Sequence, residues 1–317
     1  MGLSAVQNRL EEFKQKSRIQ ASSLIISVFG DAVLPRGSRI WLGSLIQLLE
    51  HLDLNDRQIR TTVFRLQKEG WLVSETIGRR ADYMLSPKGQ LLFENAAQQI
   101  YAARAPLWDQ RWRIILTVGE WTPKQREQLR RSLTWHGFGV LGNIGFIHPS
   151  FKLTTALSLL ASDGLSDLVQ QLMPLLAVDV PFDLSGTDTE SKLVQQAWDL
   201  PLMAQAYEEF IQTYQPILQE LRSKHAPISQ VDAFLIRTLL IHDYRKLLLR
   251  DPELPGVLLP DNWPGEKARV LTQQIYRNLL EPSEQFLDTH FRLANETTPS
   301  ALAMLAERFR QDDPLEI

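Results

Sequence analysis

Residues 55–86, NDRQIRTTVFRLQKEGWLVSETIGRRADYMLS, constrain this chain more than any other stretch. Their first half predicts a helix. Asn55 is a good N-cap, and Gln58 three residues on can close a capping box back to it. Asp56 lies in the first turn, where a negative charge suits the helix dipole. Ile59, Val63 and Leu66 recur at helical spacing as one apolar stripe, and Gly70 supplies a stop. Arg57, Thr61 and Lys68 fall on the opposite face, with Arg60 and Arg65 on its flanks. One side can therefore pack on a domain while the other presents donors outward. Phe64 lies nearer this outer face than the stripe. We expect its ring to pack against a neighbouring helix, contact with a thymine methyl being the alternative.

The second half predicts a β-hairpin. Trp71, Leu72 and Val73 start one strand, and Tyr83, Met84 and Leu85 lie in the other. Between them, Ile77-Gly78-Arg79-Arg80 offers glycine for a turn and two arginines at its tip. A basic-faced helix followed at once by an arginine-tipped hairpin is the pattern of a winged helix-turn-helix. The helix would enter the DNA major groove, where arginine donates twice to guanine, while Arg79 and Arg80 would reach phosphates or a narrow minor groove. The plainer reading is a solvated helix face beside a surface hairpin.

The net charge of −3 over 317 residues would, taken alone, argue against a nucleic-acid binder. Its distribution does not. Residues 1–113 carry 16 lysines and arginines against 11 acids, whereas residues 114–190 carry 5 against 8 and residues 191–317 carry 13 against 18. The basic part is the part with the helix-hairpin pattern. There is no cysteine, which excludes disulfides and thiolate metal sites and is compatible with a cytoplasmic chain. No apolar run is long enough for a membrane span, and the N-terminal MGLSAVQNRLEEFKQK has no apolar segment of the kind a signal peptide needs.

In chain order, residues 3–16 predict a polar helix and ASSLIISVF, from Ala21, a core helix that Gly30 to Gly37 breaks. Helix resumes from Trp41 to His51, and HLDLND is the turn into the basic-faced helix. Ser86-Pro87 opens a further helix to about Tyr101, a candidate subunit contact. From Trp112 the period changes. Strand WRIILTV, helix TPKQREQLRRSLTWH, strands GFGVL and IGFIH, a helix from Leu153 to Ala161 and a strand from Leu175 to Val180 give βαββαβ, the ferredoxin-like order. From Thr187 onward the pattern is helical, interrupted at Leu200-Pro201 and by the proline-rich DPELPGVLLPDNWPG. The expected fold class is α+β multidomain: a winged helix-turn-helix in residues 1–105, a ferredoxin-like domain in 106–186 and an all-α domain in 187–317.

Gly137-Phe138-Gly139-Val140-Leu141-Gly142 matches G-x-G-x-x-G, but a helix precedes it and a hairpin follows. A dinucleotide site needs the reverse, so these glycines belong to the hairpin. There is no P-loop, G-x-S-x-G or H-E-x-x-H, and no histidine pair at i,i+4. We therefore expect no metal, no cofactor and no catalytic residue. His242, Tyr244 and Arg245, with Arg250 and Trp263 beyond them, mix charge and aromatics on an otherwise apolar helix and its exit loop. They suit either helix-end charges plus a buried tryptophan, or a site for an anionic aromatic ligand.

GSRIWLGSLIQLLE, IRTTVFRLQKEGWL with IGRR, WRIIL, LTWHGFGVLG and IHDYRKLLLRDPELPGVLLPDNWPG together resemble the PaaX family of phenylacetate-catabolon repressors. The resemblance spans residues 24 to 276. It implies a homodimeric transcriptional repressor bound to double-stranded operator DNA. It also implies a winged-helix domain, a middle domain similar to Cas2 folds, and release from the operator by phenylacetyl-CoA. Such a thioester needs cations for its phosphates and an apolar pocket for its ring. The candidates are His242, Tyr244, Arg245, Arg250 and Trp263, with Trp112, Trp135 and His136 in the middle domain. The competing class is a Cas2-like nucleic-acid-processing enzyme, which needs a carboxylate at the end of the first ferredoxin-like strand. Trp112 to Val118 contains none, and Asp109 and Glu120 only flank it.

Overall fold

The computed structural model describes residues 4–15, 20–178, 189–223, 227–301 and 304–310. They pack as two units. The first draws on Met1–Arg104, Glu209–Lys246 and Lys267–Ile317, the second on Ala105–Glu208 and Leu247–Glu266. The units therefore cut across the three consecutive segments, because the C-terminal helices are shared out between them.

In the first unit, α1 spans Ala5–Lys14 and α2 spans Ala21–Val28. The break expected between Gly30 and Gly37 is not there. The helix continues as a π-helical turn, Phe29–Val33, and a 3-10 turn, Leu34–Arg36, before stopping at Gly37 with φ +88°. Burial of Phe29, Ala32, Val33 and Leu34, together with the ion pairs of Asp31, holds this segment wound. A short strand follows where the sequence predicts the start of helix: β1 is Arg39–Trp41, and α3 begins only at Leu42, spanning Leu42–Glu50. Then come α4, Asp56–Lys68, β2, Leu72–Ile77, β3, Arg80–Leu85, and α5, Pro87–Ile100. The sheet order is β1-β3-β2, antiparallel throughout.

The second unit holds β4, Arg111–Thr117, α6, Pro123–Trp135, β5, Gly139–Leu141, β6, Gly145–His148, α7, Leu153–Leu160, α8, Ser166–Val169, and β7, Leu172–Val178. The sheet order β5-β6-β4-β7, all antiparallel, is the ferredoxin-like arrangement read from the sequence. The last strand begins three residues earlier than expected, at Leu172, and residues 179–180 lie outside the described part. It tolerates Pro174 because it is an edge strand. One sheet face buries Ile115, Phe138 and Phe146 with Leu129 and Leu133 of α6. On the other, Trp112 and Ile147 pack with Val194 and Ala197 of α9, Thr189–Ala197, and with Trp198, Leu254 and Leu258. Gly139 sits where a Cβ would come within 2.7 Å of Ala197 Cβ. That glycine serves strand–helix packing.

Helix α10, Leu200–Arg222, contributes residues to both units. Helix α11, Gln230–Leu248, is buried on nearly every side from Ala233 to His242, as expected of a helix apolar all round. Helix α12, Pro264–His290, and the single turn α13, Met304–Glu307, are the last helices among the described residues. A buried ionic node ties α11, α12 and Arg308, just past α13, to the N-terminal elements of the first unit. The Asp31 carboxylate pairs with Arg237 of α11 at 2.8 Å and with Arg308 at 2.7 Å, and accepts hydrogen bonds from Tyr101 and Tyr276. Arg36 pairs with Glu284 and Asp288 of α12. Burial opposes the Asp31 charge, but Arg237 and Arg308 together hold its carboxyl below the ordinary value.

Candidate nucleic-acid interface

The geometry of α4 follows from its cap. The Asn55 side chain accepts from the Gln58 backbone N–H, and the Gln58 side chain accepts from the Asn55 N–H, so the capping box is complete. The turn from α3 buries Leu52 and Leu54. Asp53 between them takes φ +62°, which aspartate tolerates better than most residues. Ile59, Thr62, Val63 and Leu66 are buried, and α4 packs against α2 and α3. The outer face is therefore fixed, and Arg57, Arg60, Thr61, Arg65 and Lys68 are all exposed on it or at its edge. Arg60 pairs with Asp56 at 2.6 Å and Arg65 with Glu69 at 3.7 Å, both within the helix or at its C-cap. Arg57 makes no ion pair among the described residues.

Phe64 stands on the same face, 56% exposed. It does not pack on a neighbouring helix as expected, since α2 and α3 meet the other side of α4. Its ring is instead covered in part by the Lys68 ammonium, 4.8 Å from the centroid. Helical spacing puts the ring on the outer face but carries no sign that nothing would cover it.

The hairpin reverses over Gly78-Arg79, with Ile77 opposite Arg80. Positive φ at Gly78 alone matches a II′-type two-residue turn. The two arginines differ. Arg79 is exposed at the tip, whereas Arg80 lies over the Trp41 ring at 4.5 Å and pairs with Glu296 at 2.9 Å. Residues following α12 brace β1 and β3. Arg292 O accepts from Trp41 N, and Ala294 N donates to the buried Asp82 carboxylate at 2.7 Å. The sequence offered no signal for this brace, because its partners are more than 200 residues apart.

The residues expected to hold an effector divide between the units. His242, Tyr244 and Arg245 belong to the first; Trp112, Trp135, His136, Arg250 and Trp263 belong to the second. His242 and Tyr244 are buried. His242 Nδ1 lies 3.0 Å from Ser27 Oγ on α2, and burial, aided by Lys246, pushes its pKa down to about 3. Arg245 donates to Ser23 O, Ser23 Oγ and Ser27 Oγ, none of them an acid. In the second unit, Trp112 and Trp263 share one apolar cluster. His136 stacks obliquely on Phe151, which packs against the opposite face of the sheet, and burial lowers its pKa. Trp135 is 72% exposed. Within the second unit these five do not gather into one cluster.

Asp109 and Glu120 beside β4 do not form a carboxylate site. Asp109 is committed to Arg113 at 2.6 Å, Glu120 is exposed, and β4 itself contains no acid. Among the described residues no group of three or more His, Asp or Glu could hold a metal ion, and no helix is long and apolar enough to cross a membrane.

An outward basic helix beside a braced hairpin, joined in one chain to a four-stranded βαββαβ sheet, has counterparts among known families. Residues 20–89 match the family described as PaaX-like protein, residues 105–173 the PaaX protein central Cas2-like domain, and residues 198–289 the PaaX-like protein C-terminal domain. The chain belongs to the PaaX family. It is 36% identical over 291 residues to "Transcriptional repressor PaaX" of Escherichia coli (strain K12), a match that covers 92% of this chain and 90% of that protein. Among solved structures it is similar in fold to "Uncharacterized protein Rv0674 from Mycobacterium tuberculosis", at 22% identity and a TM-score of 0.52, over 83% of this chain and 96% of that one.

Proposed function

We propose that this chain is a transcriptional repressor of phenylacetate catabolism genes that grips double-stranded operator DNA through a winged helix-turn-helix, with α3 and α4 as the helix pair and β2–β3 as the wing. The observation that carries this reading is the outward face of α4, where Arg57, Arg60, Thr61, Arg65 and Lys68 stand clear of the core while the opposite face is fully buried. Relationship to the Escherichia coli repressor supports it. Base-edge contacts come from α4 and phosphate contacts from Arg79. The repressor acts as a cytoplasmic homodimer reading two half-sites, with α5 as the candidate interface, since it exposes Leu91 and Leu92. We assign it no catalytic residue. The test is a gel shift on operator fragments with Arg57→Ala and Arg60→Ala. Each base-reading arginine lost costs about 1–3 kcal/mol and relaxes preference at one position. Wild-type affinity in both variants rejects the interface.

Release follows binding of phenylacetyl-CoA. Arg245 holds α2 through Ser23 and Ser27, and α2 packs against α4. A phosphate drawn to Arg245 competes for those donors and favours a different seat for α2, and with it α4. Only such a difference in affinity between two states lets a ligand shift them. Arg250, exposed in the second unit, is tested separately. Calorimetry on Arg245→Ala is expected to weaken thioester binding by roughly 10–100-fold, the worth of a charged hydrogen bond. Tight binding and unchanged operator release in both Arg245→Ala and Arg250→Ala move the site elsewhere.

A further inference from the structure

Along α4, Arg57, Thr61, Phe64 and Lys68 follow one another at spacings of four, three and four residues, so they line a single ridge on the outer face. Three of the four are polar. The fourth is a phenylalanine 56% exposed to water, on a helix whose apolar stripe is already complete without it. An exposed aromatic ring on such a face contributes little to the folded chain beyond its contact with Lys68, and it costs solubility. Its surroundings say what it suits. Arg57, Arg60, Arg65 and Lys68 crowd the same face, and only Arg60 and Arg65 have acids of the helix or its cap beside them. Protein interface cores are depleted of lysine and of charged residues other than arginine, whereas a ring set among four cations with few acids between them suits a polyanion with apolar groups between its charges. In the major groove of DNA the apolar group on display is the 5-methyl of thymine.

We propose that Phe64 is a specificity-determining residue that reads thymine 5-methyl groups in the operator, with Lys68, now lying over the ring at 4.8 Å, swinging to a neighbouring phosphate. This rests on the DNA-binding reading above and adds to it what the outer face selects: thymine at the base step under the centre of the ridge. Thr61 and Arg57, one and two turns earlier, then meet the adjoining steps.

The test uses the full chain and a duplex that wild-type protein selects from a random-sequence pool. Each thymine in that duplex is replaced singly by deoxyuridine, which removes only the methyl. Wild type is expected to lose about threefold to fourfold in affinity at one or two thymines per half-site, the worth of one methyl contact. Phe64→Ala is expected to bind the parent duplex more weakly and to be indifferent to those same replacements, with an unchanged melting curve because the ring is exposed. Phe64→Leu, still apolar, keeps part of the discrimination. If Phe64→Ala shows the wild-type deoxyuridine profile, the proposal is overturned while DNA binding stands. It is equally overturned if Phe64→Ala alters self-association in light scattering and leaves that profile intact, since the ring is then a protein contact. If wild type selects no duplex at all, the DNA-binding reading itself falls, and the proposal with it.

Discussion

Asp31 is fully enclosed, yet it stays charged because two guanidinium groups and two tyrosine hydroxyls surround it. A buried pair is weak evidence of net stability, but breaking one is costly, because the survivor keeps its desolvation penalty. Asp31→Asn leaves Arg237 and Arg308 without their shared counter-charge and is expected to cost about 3–5 kcal/mol in chemical denaturation. His242 makes a second prediction. Its pKa drops from 6.5 to about 3 on folding, chiefly through burial. Between those values the unfolded chain binds a proton that the folded chain refuses. Stability is therefore fully present above pH 6.5 and is lost as pH falls through the window toward 3. His148 in the second unit, also pushed down to about 3 by burial, adds the same dependence. His242→Gln is expected to remove roughly 2–3 kcal/mol of the stability difference between pH 7 and pH 4.5, read from denaturant midpoints at the two pH values. Nothing near Asp31 or His242 in the sequence announces either role. Arg237 and Arg308 lie 206 and 277 residues from Asp31, and Ser27 lies 215 from His242.

The elements that were legible are those whose signals are local. Asn55 and Gln58 are three residues apart, the stripe of α4 repeats within two turns, and the hairpin announces itself by Gly78 between two short apolar runs. The ferredoxin-like sheet was legible for the same reason: each strand and helix is punctuated by its own cap or turn. β1 was not legible, since three residues form a strand only because β3 passes beside them. Nor was the π-helical turn after α2, where glycine reads as a stop but the buried contacts of Asp31 keep the chain wound. Three predictions belong at this scale. Asn55→Ala is expected to cost about 1 kcal/mol in melting experiments by removing one half of the capping box. On the hairpin, Arg79→Ala is expected to lower DNA affinity and the salt slope by about one phosphate contact, with no change in melting. Arg80→Ala is expected to affect DNA binding less, since Trp41 and Glu296 already hold that side chain; fluorescence anisotropy at several salt concentrations separates the two.

For the whole molecule, the three family matches run in sequence order while the packing does not, because residues 304–310 return to the first unit. Arg308 enters the Asp31 node, and Phe309 is fully buried, its carbonyl accepting from Gln273 and Arg277 and its N–H donating to Tyr101 O. This segment lies past residue 289, where the matched C-terminal domain stops, and although the pattern resumes at ALAMLAERF nothing local says where it docks. A chain ending at Ser300 is expected to melt well below the full chain, by more than Phe309→Ala alone, whose cavity costs about 3–5 kcal/mol.

The Asp31–Arg308 pair also sets a clock on biosynthesis. Asp31 leaves the ribosome early, and its partner is made 277 residues later. At about 5–20 residues per second that interval is roughly 14–55 s. Throughout it, the N-terminal elements lack Arg308, and for most of it Arg237 and α12 as well. Folding that begins at the N-terminus cannot close this node until residue 308 has been made. A nascent or prematurely terminated chain that stops short of it already holds α2, α3 and α4, but leaves Asp31 without the Arg308 half of its counter-charge.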